Sequence, residues 1–95
     1  MRIPRKLKIN GFDWVIKFVD EIKEHGNNKH SVTLGLCDAS IRTIFLRKKM
    51  TPKKRVEIYE HEKLHAIEFE YGFELDHKHV YKISRALAQL YFDNL

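Results

Sequence analysis

Ninety-five residues, 43% of them hydrophobic and 33% charged, are enough for one compact core and too few for two, so residues 1–95 are expected to form a single domain. Eighteen Lys and Arg against thirteen Asp and Glu leave a net charge of +5, which admits an acidic or nucleic-acid partner without requiring one. The single cysteine, Cys37, excludes an internal disulfide and a thiolate metal site. Neither the basic start MRIPRKLKIN nor any later run is apolar enough for a signal peptide or a membrane span, so a soluble, cytoplasmic chain is expected.

The first half reads as strands. Leu7 and Ile9 alternate with Lys6, Lys8 and Asn10, Gly11 supplies a turn, and Trp14, Ile16 and Phe18 alternate with Val15, Lys17 and Val19, which predicts a β-hairpin. The charged, turn-forming stretch Asp20 to His30 reads as an exposed connection. Val32, Leu34 and Leu36 alternate again, Asp38 to Ser40 make a turn, and Ile41 to Leu46 form another apolar, β-branched strand. A sheet of three or four strands, antiparallel or mixed, is expected within residues 5–47.

The second half changes period. Thr51 is a good N-cap, Pro52 suits the first helical position, and Val56, Tyr59, Leu64 and Ile67 recur at helical spacing, so a helix is predicted from about Pro52 to about Tyr71, ended by Gly72. Asp76 is placed to cap a second helix in which Val80, Ile83, Leu87, Leu90 and Tyr91 form an apolar stripe. The expected fold class is therefore α+β, a small sheet followed by two C-terminal helices packed on it.

Six histidines are present, and His61, His65, His77 and His79 fall close together. His61-Glu62-Lys63-Leu64-His65 spells HExxH on the first predicted helix. Two imidazoles four residues apart project from one face and can bind one cation at about 2.0–2.1 Å, and the intervening carboxylate is placed to accept a proton from water in the open coordination position. Such a site needs a third protein ligand. Glu68 and Glu70 lie on the same helix, where convergence with His61 and His65 is difficult, and Glu74 lies in the connecting turn. His77 and His79 open the second helix, and the helical wheel does not choose between them.

His61 to Ile67, Tyr71-Gly72-Phe73-Glu74-Leu75-Asp76-His77 and the tail Leu87 to Asn94 resemble the short zincin-type metallopeptidases encoded in bacteriophage and prophage genomes, which are distantly similar to minimal gluzincin-like and ImmA/IrrE-like proteins. The resemblance extends to the strand-rich half. It implies a minimal zincin-like fold, Zn²⁺ held by His61, His65 and His77, Glu62 as general base, and peptide or protein substrates. In such relatives the strand leading into the active helix, here Ile41 to Leu46, lies at a sheet edge and pairs with extended substrate, so its backbone is the expected cleft wall.

Two other functions fit the residues. All four clustered histidines could close a structural zinc site with no catalysis. The basic runs Arg2 to Lys8, Arg47 to Lys49 and Lys53 to Arg55 could serve a nucleic-acid-binding or regulatory module, although a solvated surface explains them as well. Trp14, Phe18, Phe45 and Phe73 are expected in the core, Cys37 as a small buried hydrophobe, and Lys63 pointing into solvent away from the motif. Tyr59, Tyr71 and Tyr81 are candidate oxyanion donors. A monomer or weak oligomer is expected.

Overall fold

The computed structural model describes residues 2–23 and 32–95, so residues 24–30 of the predicted exposed connection lie outside the described part. The fold is α+β. Four strands, β1 (Lys6–Ile9), β2 (Phe12–Val19), β3 (Gly35–Asp38) and β4 (Thr43–Arg47), precede two helices, α1 (Pro52–Tyr71) and α2 (His77–Asp93).

The β1–β2 hairpin forms where the alternation predicts it. Asn10 and Gly11 both take positive φ, 49° and 82°, as a two-residue hairpin turn requires. Sheet order is β1-β2-β4-β3, and β2 pairs with β4 in parallel, with Ile16 opposite Ile44 and Phe18 opposite Leu46. The sheet is thus mixed. β3 runs antiparallel to β4 and sits at the sheet edge.

That order corrects the expected cleft wall. The strand leading into α1 is shorter than Ile41 to Leu46 and lies between β2 and β3, with both of its edges already paired. Ile41 instead ends a short 3₁₀ turn (Ala39–Ile41) that starts where the Asp38 side chain accepts the Ser40 N–H. Arg42, at φ 45°, turns the chain back into β4.

One face of the sheet carries the core. Trp14 and Ile16 of β2, with Ile44 and Leu46 of β4, are fully buried against Tyr59 and Ala66 of α1. Gly35 and Cys37 of β3 share this face, because they stand opposite Leu46 and Ile44. α1 begins as the sequence predicts: the Lys54 N–H donates to Thr51 Oγ1, and Pro52 occupies the first turn. It ends at Gly72, whose φ of 70° lets the Gly72 and Phe73 N–H groups donate to the Glu68 carbonyl.

α2 packs differently from its apolar stripe. Its buried residues are Val80, Ser84 and Ala88, spaced four apart, and these small side chains let the helix lie close on α1. Ile83, Leu87 and Leu90 face outward, Leu90 being 60% exposed. The side chain of Asp76 makes no capping hydrogen bond at the start of α2, although the residue holds the N-cap position. Phe73 is also outside the core, 45% exposed in the connection between the helices. No helix among the described residues is long and apolar enough to cross a membrane.

Candidate metal centre

One turn apart on α1, His61 and His65 turn their Nε2 atoms toward each other at 3.2 Å. Two nitrogens held at 2.0–2.1 Å from a tetrahedral ion stand about 3.3 Å apart, so the pair already has the spacing of one edge of such a site. His77, the first residue of α2, completes the group: its ring centre lies 5.4 Å from that of His61 and 5.6 Å from that of His65. One ligand atom from each of the three lies within 4.8 Å of the other two.

Helix geometry separates His77 from His79. Two residues along a helix is a rotation of about 200°, so when His77 faces α1 its neighbour turns outward. His77 and His79 are both exposed, but among the described residues His79 stands outside the group. A closed site of four histidines therefore lacks its fourth member here.

The electrostatics suit a cation ligand. Burial, reinforced by the neighbouring His65 and His77 rings, pushes the His61 imidazolium down to a pKa of about 4, so the ring is neutral at physiological pH with a lone pair to donate. His61 is 8% exposed, and aromatic contacts brace it: the Tyr81 ring centre lies 4.8 Å away, and Tyr81 stacks on His77 at 5.0 Å.

Glu62 borders the same cleft. The cleft has a volume of about 570 Å³ and runs between β3 and the facing sides of the two helices, with Gly35 on one wall and Tyr81 on the other. Glu62 is buried, and its carboxylate lies close against Gly35: a Cβ built at that glycine would stand 3.0 Å from Glu62 Oε2 and 2.5 Å from Ile58 Cγ2. Only a residue without a side chain leaves Glu62 where it is. A larger hollow of about 790 Å³ borders the other side of His65 but includes neither His61, Glu62 nor His77, so the chemical groups converge on the smaller one.

Other candidates fall into place around this cleft. Of the three tyrosines considered as oxyanion donors, Tyr81 lines the cleft, Tyr59 is buried in the core under the Lys63 ammonium, and Tyr71 is exposed on the far end of α1. Lys63 turns away from the histidines, as expected, but pairs with the buried Glu60 carboxylate at 2.9 Å rather than standing free in solvent. Cys37 is half-buried on the cleft wall, and burial together with the nearby Glu62 charge pushes its thiol up to about 12, which rules out a thiolate nucleophile near neutral pH.

The two glutamates set aside as ligands have distinct partners. Glu70 points back to the sheet, accepting hydrogen bonds from the Arg42 guanidinium and, at 2.9 Å, from the Trp14 indole N–H. The Arg42 hydrogen bond, helped by that of Trp14, holds its carboxyl below the usual carboxylate range. Glu68 instead reaches His65, with Oε1 2.6 Å from Nδ1, on the edge of the ring opposite Nε2. Gly35 was not legible as a site residue in the sequence, and Glu68, weighed there as a ligand and set aside, was not legible as a partner of His65. A glycine in a strand pattern signals close approach only weakly, and the reach of Glu68 depends on how the chain turns after α1. Compared with protein-family models, with curated proteins and with solved structures, the chain finds no significant match.

Proposed function

We propose that this protein is a zinc-dependent metallopeptidase in which His61, His65 and His77 hold the ion and Glu62 is the general base. The observation that carries this reading is the convergence of three imidazoles from two helices, within 4.8 Å of one another, on a cleft that Glu62 also lines. Three imidazole nitrogens with a carboxylate beside them fit the donor set of a catalytic zinc, which would keep one coordination position for water.

The ion, when bound, supplies Lewis acidity that makes water acidic near neutral pH and polarises a carbonyl. The Glu62 carboxylate accepts the proton of the water that attacks the scissile carbonyl, and passes it to the departing amine. β3 supplies the substrate wall: among the described residues it is an edge strand, its Gly35 and Cys37 line the cleft, and its outer edge can pair with an extended peptide. Tyr81, whose ring packs against His61 and His77 on the cleft wall, would offer its hydroxyl to a peptide bound there. A reducing cytoplasm suits a chain whose one cysteine is a shielded thiol.

The test is zinc content by mass spectrometry together with hydrolysis of an unfolded protein substrate. Wild type is expected to carry one zinc per chain and to cut. His61→Ala loses both, whereas Glu62→Gln keeps the zinc and loses activity by about 10²–10⁴-fold. Wild-type protein purified without stoichiometric zinc, and unable to take it up, overturns the reading.

A further inference from the structure

Glu68 is 8% exposed and sits on α1 one turn beyond His65. Both of its carboxylate oxygens are engaged. Oε1 lies 2.6 Å from His65 Nδ1, and Oε2 accepts the Leu75 backbone N–H at 2.6 Å. Leu75 lies in the connection between the helices, two residues before His77 opens α2. One buried carboxylate therefore touches the ring of one candidate ligand and the backbone that delivers another.

The chemistry of this contact restricts where the His65 proton sits. A carboxylate offers only acceptors, and a backbone N–H only donates, so the Glu68 oxygen facing His65 requires a donor on Nδ1. A neutral imidazole with its proton on Nδ1 has its lone pair on Nε2, the nitrogen that stands 3.2 Å from His61 Nε2. A ring with that tautomer offers Nε2 as a metal ligand has to. The second hydrogen bond fixes the connection Gly72 to Asp76 against α1, and with it the register at which His77 enters the group.

We propose that Glu68 is the positioning residue of the centre, setting the His65 tautomer through Oε1 and the placement of His77 through Oε2. The inference rests on the metal-site reading above and deepens it. Carboxylates in this position behind a ligating histidine orient the ring and raise its basicity, and their loss weakens metal binding about 10–100-fold. Glutamine at this position offers one acceptor and one donor. It cannot accept from both His65 and Leu75, and where its NH₂ faces His65 it favours the wrong tautomer.

Two measurements on the full chain test this. Long-range ¹H–¹⁵N spectra of metal-free wild type are expected to show His65 protonated on Nδ1, a result that needs no variant. Competition with a chromophoric chelator is expected to show Glu68→Gln binding Zn²⁺ about 10–100-fold more weakly than wild type. Glu70→Gln, which disturbs the Trp14 and Arg42 hydrogen bonds on the same helix but touches no histidine, lowers the melting temperature and leaves zinc affinity within a factor of about two. His65 protonated on Nε2 in the metal-free protein, or Glu68→Gln binding zinc as tightly as wild type, overturns the role of Glu68 while leaving the metal site standing. Wild type that takes up no zinc overturns the site and this inference together.

Discussion

Gly35 stands directly against the carboxylate of Glu62, on a strand that reaches α1 from the far side of the sheet order. The glycine has no unusual φ to explain it, and the need is for space. Gly35→Ala places a methyl group 2.5 Å from Ile58 Cγ2, so the Ile58 side chain, β3 or α1 has to shift. A loss of about 1–3 kcal/mol in unfolding free energy is expected from chemical denaturation, as for other overpacked sites. If the proposed hydrolysis holds, it is expected to fall further than stability alone explains, because the same methyl group stands 3.0 Å from Glu62 Oε2. Unchanged stability in Gly35→Ala would show that the wall is softer than the contact distances indicate.

A second expectation concerns pH. His61 has a pKa of about 4 in the folded protein, against 6.5 when unperturbed, because burial and the two neighbouring rings disfavour its charged form. Between those values the unfolded chain binds a proton that the native protein refuses. The stabilising contribution of neutral His61 is therefore fully present above pH 6.5 and is lost progressively as pH falls toward 4. In metal-free protein the urea midpoint should drop between pH 7 and pH 5, and His61→Gln should reduce that drop. Equal slopes in the two proteins would remove His61 as its source.

The third expectation separates the two faces of α2. Ala88 is 1% exposed where the helix meets α1, and Leu90 is 60% exposed on its outer side. Ala88→Leu is expected to cost about 1–3 kcal/mol by overpacking. Leu90→Gln should stay within about 0.5 kcal/mol of wild type in the same denaturation assay. The reverse ranking would mean that the leucine stripe, and not the small-residue seam, holds the helix down.

That last contrast shows where the sequence was readable. Asn10-Gly11 between alternating strands and Thr51-Pro52 ahead of a helix ended by Gly72 are local signals, and the structure follows each of them. Hydrophobic periodicity placed α2 and its buried Val80 but misassigned the rest of its packed face, because it weights Ile83, Leu87 and Leu90 above Ser84 and Ala88, although helix–helix approach depends on how little side chain lies between the axes. The parallel pairing of β2 with β4 joins segments far apart in the chain, and no local pattern encodes it. The histidine spacing on α1 was legible for the same reason as the helix itself, since both follow from 3.6 residues per turn. The choice of His77 over His79 by the helical wheel was not, because it depends on the rotation with which α2 leaves the connection that Glu68 fixes.

The three imidazoles all belong to the helical hairpin of α1 and α2, whereas the wall against Glu62 arrives only when β3 has joined the sheet. Contacts between segments near in sequence close with less loss of chain entropy, and so earlier in folding, than the pairing of Ile16 with Ile44. An order of assembly is expected from this: the three histidines can come together before the wall against Glu62 is in place.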